Sequence, residues 1–277
     1  MDSAKIVKRF EQVWTQRKTA EQLWDVIERF IMPYRGRFFK DVNSEHSVEW
    51  RKREVYDSTA VMAAQSLAAS LHGSLTTPAV RWYDLRFRND ELQNNQEAQE
   101  WLEDCGKRIY DALQDSNFNL EVNETYLDLA GFGTSIIVEE ANADPTEDWE
   151  GINFTSVPLK EAYFEQDAKG QVYCFYRRLN WTTSRYIDKF GEEHCPQIIL
   201  DKHAQDPDCT VDVIFCIYPV KENADADISG VLAPERRPYG FKYVTRQGGE
   251  SFGGPHGSGG YYEMPAFVPR WRKTSES

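Results

Sequence analysis

Several hallmarks of chemistry are missing from this sequence. Its 277 residues include five cysteines, Cys105, Cys174, Cys195, Cys209 and Cys216. An odd set without a secretory pattern reads as free thiols in a reducing compartment, not as a disulfide framework. No Gly-x-x-x-x-Gly-Lys-Ser/Thr string occurs, which removes the phosphate-cradling loop of the common nucleotide hydrolases. No apolar run reaches the roughly 18 residues that a membrane helix needs. Met1 to Gln22 is charged and amphipathic, so it does not read as a signal peptide. Positive charge is scarce: 32 Lys and Arg stand against 45 Asp and Glu, a net charge of −13. That balance excludes a broadly basic protein that coats nucleic acid. It leaves open a local patch or channel that meets nucleic acid.

What is present is the material of a folded core. The chain is 40% hydrophobic and 13% aromatic, too apolar and ring-rich for a disordered chain. Its first third reads as helical. Ile6, Phe10, Val13 and Trp14 fall on one helical face, and a second stripe holds Leu23, Trp24, Ile27, Phe30 and Ile31. Thr19 with Gln22 has the spacing of a capping box, which predicts two helices before Pro33. The stretch "YDSTAVMAAQSLAASLHGSLTTP" (56–78) predicts a core helix, capped by Asp57 or Ser58 and stopped at Pro78. One face carries Ala60, Ala64, Leu67, Leu71 and Leu75. A neighbouring, nearly smooth face carries Ala63, Ser66, Ser70 and Gly73, which another backbone can approach closely. "VRWYDLRF" is strand-like. A further amphipathic helix turns Trp101, Leu102, Cys105, Ile109 and Leu113 inward, and the next ends at Gly131 as its C′ glycine.

After residue 133 the character changes. "TSIIVEE", "GINFTSVP", "CTVDVIFCIYPV" and "YGFKYVTR" read as strands, and "EAYFEQDAKGQVYCFYRRLNWT" as a hairpin. "TTSRYIDKFG" and "CPQIILDKHAQD" are short inserted helices, the second with Pro196 at its first position. "YYEMPAFVPRW" reads as a last strand, joined to "YGFKYVTR" through the Gly-rich segment 247–260. The fold class expected is α+β: a helix-rich part, 1–133, then an antiparallel β-rich part, 134–277.

Candidate sites are few. The Gly-rich segment has no Lys and precedes a strand, so it reads as a flexible hairpin tip. His194, Cys195, His203 and Cys209 form a loose His/Cys cluster whose spacings fit no common zinc pattern. A metal-dependent enzyme built on them is the remote alternative. "GFGTS" (131–135) has the wrong order for a nucleophile elbow, and no serine is read as one. Acidic stretches are abundant, with nothing to pair them into an acid/base set. "PYRGRFF", "EWRKREVY" and "FVPRWRK" mix cations with rings, a composition that suits interfaces or phosphate contacts. Arg51, Arg53, Tyr56, Arg270 and Trp271 are the interface candidates. No catalytic, cofactor or metal residue is named.

These stretches also carry a resemblance. "REVYDSTAVMAAQSLAASLHGSLTTPAVRWYDL" resembles a tract in the portal, or head-to-tail connecting, proteins of T7-like short-tailed bacteriophages. "YDALQDSNFNLEVNETYLDLAGFGTSIIVEE" and "YFEQDAKGQVYCFYRRLNWT" resemble the segments that follow. "YYEMPAFVPRW" resembles the family's Pro-Phe-x-x-x-Arg-Trp signature, here Pro265, Phe267, Arg270 and Trp271. The likeness keeps its order over nearly the whole chain. It implies a structural virion protein without catalysis or cofactor, a subunit of a dodecameric ring at one capsid vertex. Through that ring double-stranded DNA is packaged and ejected. It implies the major capsid protein, scaffold, terminase and tail adaptor as partners, no membrane, and a place in the virion, with assembly in the host cytoplasm. The family continues beyond "FVPRWRKTSES" into stem, clip and crown, so the chain resembles the N-terminal, wing-like part. A truncated portal-like binding module is the alternative from another class.

Overall fold

The structure is a computed structural model that describes residues 1–33, 56–142, 149–224, 226 and 230–271. It is α+β, with eight α-helices among the described residues and two antiparallel sheets. The chain divides into two compact units. One comprises Met1–Leu23 and Pro158–Phe267, the other Trp24–Val157 and Val268–Ser277. The sequence boundary at 133/134 marks a change of element type, which is a separate property from compactness.

Helix α1 (Ser3–Phe30) is one continuous helix, not two. Nothing between Gln16 and Thr19 breaks it: Arg17 and Lys18 are good helix formers, and a threonine is tolerated inside a helix. Arg17 also reaches Glu21 one turn on. The second apolar stripe is corrected as well. Leu23 and Phe30 are exposed, and the buried positions after residue 20 are Glu21, Trp24 and Glu28.

The helix-rich unit continues with α2 (Thr59–Leu75), α3 (Asp90–Gln93), α4 (Gln96–Asp115) and α5 (Phe118–Phe132). The Asn89 and Asn95 side chains accept from the backbone N–H groups of Glu91 and Ala98, which starts α3 and α4. "VRWYDLRF" forms no strand. It runs extended along α4, held by side chains instead of a backbone ladder. The Tyr83 hydroxyl donates to Gly106 O at 2.7 Å, Tyr110 to Pro78 O at 2.7 Å, and Arg81 pairs with Glu103 at 2.7 Å. This explains why Gly106 is the buried position of α4 while Trp101 and Ile109, expected inward, are 62% and 46% exposed. A Cβ on Gly106 would come within 2.9 Å of the Arg81 guanidinium.

Helix α5 runs past Gly131 and ends at Gly133, whose φ of 77° is the left-handed cap and whose N–H donates to Leu129 O. Gly131 is a glycine for a different reason: the Met32 side chain occupies the place of its Cβ. Strands β1 (Ile137–Ala141) and β2 (Ile152–Ser156) then pair antiparallel, with Glu139 opposite Phe154. Along β2, α5 supplies side chains in place of a further strand. The Asn117 amide accepts from Phe154 N at 2.8 Å and donates to Phe154 O at 2.7 Å. Glu121 accepts from Ser156 N.

The second unit is built on a five-stranded antiparallel sheet in simple sequence order. Its strands are β3 (Ala162–Gln166), β4 (Val172–Thr182), β5 (Thr210–Pro219), β6 (Tyr239–Thr245) and β7 (Ser258–Tyr261). Register places Tyr176 opposite Cys216 and Phe215 opposite Tyr243. Alternation therefore sends Cys174, Tyr176, Ile214, Cys216 and Val244 to one face. There they meet Ile6 and Phe10 of α1, both fully buried. The other face presents Phe215 and Tyr243 to α6 (Thr183–Phe190) and to Phe252. With both faces covered, β5 is buried almost end to end.

Helix α7 (Gln197–Gln205) starts one residue later than expected, with Pro196 as its N-cap. The Gly-rich segment is not a projecting tip. Ser251 bridges back to Val244, and Phe252 is buried with its ring 4.4 Å from that of Phe190. The four-residue α8 (Gly254–Gly257) follows. Gly254 has φ 68°, and a Cβ there would strike the His194 ring. "YYEMPAFVPRW" is likewise broken. Strand β7 stops at Tyr261 and only Ala266–Phe267 resume strand geometry, because Pro265 and Pro269 have no N–H to give a ladder.

Candidate interaction surface

Helix α2 was expected in the core, and the structure corrects this. Only Ala64 and Ala68 are buried, and α5 is the helix beside it. At 100° per residue the smooth face points away from that stripe. Ala63, Ser66, Ser70 and Gly73 are all exposed, and Met62 beside them is 64% exposed. A Cβ placed on Gly73 meets nothing within 4 Å. The Ser70 hydroxyl donates to Ser66 O at 2.8 Å, so its donor is already used within the helix. From Ser58 to Val80 there is no Asp, Glu, Lys or Arg.

Of the five named interface candidates, Arg51 and Arg53 lie outside the described residues. Tyr56 is 97% exposed, just before α2. Arg270 and Trp271 do different work from that expected. Their backbone closes on the turn after α5: Thr134 and Arg270 form an antiparallel bridge, Ser135 N donates to Pro269 O, and Trp271 N donates to Gly133 O at 2.8 Å. Two motifs read separately in the sequence, "GFGTS" and "FVPRW", thus meet. The Trp271 side chain remains half exposed.

Cation–ring contacts, expected in three local clusters, also arise between segments far apart in sequence. The Trp14 ring has the Arg246 guanidinium 4.3 Å away and that of Arg178 5.3 Å away. Both arginines share Asp212, and Arg246 also pairs with Glu11. Arg185 lies 4.0 Å from the Trp181 ring. Such pairs join distant segments, so no local string announces them.

The loose His/Cys cluster does not converge on a metal. His203 Nδ1 sits 3.1 Å from Thr183 Oγ1, Cys209 Sγ faces Thr210 O, and His194 packs on Gly254. Among the described residues no three His, Cys, Asp or Glu side chains are grouped to hold a metal ion. Burial, with Glu193 and Glu192 nearby, pushes the Cys195 thiol up to about 11. It stays protonated at neutral pH, unlike a nucleophile. One string was passed over: Gly249-Glu250-Ser251-Phe252-Gly253 has Gly-x-Ser-x-Gly spacing. It lacks the strand–turn–helix setting of a nucleophile elbow. Ser251 bridges to an antiparallel strand and leads only into α8. Among the described residues no helix is long and apolar enough to cross a membrane.

The surface so described suits contact with other molecules more than transformation of a substrate. Comparison with known proteins agrees in kind. The chain is 26% identical over 269 residues to the "Probable portal protein" of Bordetella phage BPP-1, covering 96% of this chain and 46% of that protein. It is 25% identical over 277 residues to the "Portal protein" of Salmonella phage epsilon15, covering 99% and 47%. The chain therefore spans about half the length of these relatives. Residues 3–277 match the family described as "Bacteriophage head to tail connecting protein", and the chain belongs to that family.

Proposed function

We propose that this chain forms part of a portal subunit, a structural element of the ring that joins head to tail at one capsid vertex. The observation that carries the reading is the family match over 3–277. The portal names of the two relatives support it, as does a surface without an assembled catalytic or metal constellation among the described residues. In this reading the protein works by shape and contact. Packaged and ejected DNA passes through the ring without sequence-specific recognition. The acidic balance suits such passage, because every Lys or Arg on a phosphate adds sequence-independent affinity and would slow sliding. ATP hydrolysis falls to the terminase, and the capsid protein, scaffold and tail adaptor complete the contacts. Arg51, Arg53 and Tyr56 serve subunit contacts.

The test is genetic and physical. Inactivating the gene that encodes these residues in its phage should yield heads without DNA, and supplying the gene in trans should restore packaging. Heads that fill normally without it would overturn the reading.

A further inference from the structure

We infer that the outward face of α2, lined by Ala63, Ser66, Ser70 and Gly73 with Met62 at its edge, is a self-association surface that a second copy of this chain covers. The inference rests on the portal reading, which requires copies to lie side by side, and it names where they touch.

The argument begins with what the chain leaves open. Only one side of α2 is buried, at Ala64 and Ala68, while the opposite side is exposed along its length. The four small residues follow a three–four–three spacing, the seam along which one helix packs on another. Small side chains on such a seam let two backbones approach closely, and the space beyond Gly73 is empty. Burial there strands little. The Ser70 donor is bonded to Ser66 O, whereas a buried donor without a partner would cost binding energy.

Charge selects the occupant. The chain carries −13, and a second copy brings the same charge. Two such molecules pack best where neither presents charge, because like charges facing each other across a contact cost several kcal/mol. With 28% of residues charged, a stretch as long as Ser58–Val80 would ordinarily hold about six charges; it holds none. A partner of opposite charge would gain nothing from a neutral seam, while a second acidic copy gains most. The exposed Tyr56 and Met62 add apolar area beside the seam.

The experiment uses the whole 277-residue chain. Light scattering across a concentration series compares the wild type with Ala63→Glu and Ser70→Glu, and with Gln99→Glu on exposed α4 as a control. Thermal melts check that each variant is folded. The inference expects the wild type and the control to associate, and both α2 variants to associate at least about a hundredfold more weakly, since each buries an unpaired charge. A photo-crosslinker at position 66 should capture a second copy. A wild type that stays monomeric throughout would overturn the inference, as would a crosslink to a different structural protein. Association that both α2 variants retain would overturn it too, while leaving the portal reading intact, because packaging in the gene-inactivated phage tests that reading separately.

Discussion

Asn117 satisfies both backbone groups of Phe154 with one side chain. Asn117→Ala would leave a partly buried N–H and C=O without these partners, so stability should fall by about 1–3 kcal/mol in a denaturant titration. Gly131→Ala should cost about the same, because its Cβ collides with the Met32 side chain. Met32→Ala in the same chain should recover part of that loss. The Cys195 thiol offers a pH test. Its folded pKa of about 11 lies above the ordinary thiol value, so the unfolded chain loses this proton first. The contribution of the group to stability is therefore intact below about pH 8.5 and declines as pH rises toward 11. Alkylation of Cys195 in the folded chain should accelerate only near pH 11; a midpoint near 8.5 would contradict the burial described. At this scale the sequence was partly legible. Gly131 and Gly133 both stood out in "GFGTS", but only the backbone shows that Gly133 is the cap and Gly131 makes room for Met32.

At the scale of elements, strands after residue 133 followed from alternation and turn residues, and the hairpin at Asp167–Gly170 formed where expected. The errors share a cause. Each put an apolar or β-prone residue inside without knowing what would cover it. "VRWYDLRF" has strand composition, yet its neighbour is a helix, which offers side chains and a carbonyl but no ladder. Trp101 and Ile109 obey helical spacing, yet the segment that crosses α4 does so at Gly106. Helix α2 has the composition of a core helix and is covered on one side only. That difference can be measured. Ser66→Glu should change the melting free energy by less than about 0.5 kcal/mol, as an exposed surface change does. Ala68→Glu, which buries a charge beside α5, should cost at least about 3 kcal/mol. Equal effects at both positions would contradict the orientation of α2.

For the molecule as a whole, net charge governs association. A chain carrying −13 repels its own copies through solvent, and salt screens that repulsion. Self-association should therefore strengthen between low and physiological salt, as sedimentation at two ionic strengths would show. Assembly driven by ion pairs between copies would weaken instead. Family membership was legible in the ordered set of weak motifs; the interface was not, because exposure of a helix face depends on what the rest of the chain leaves uncovered. The central claim, that this chain belongs to a connector at one vertex of a phage head, is tested most directly by location. Gold-labelled antibody raised against residues 1–277 should mark a single vertex on each particle, at the point where head meets tail. Label spread over all vertices, or confined to the tail tip, would contradict it.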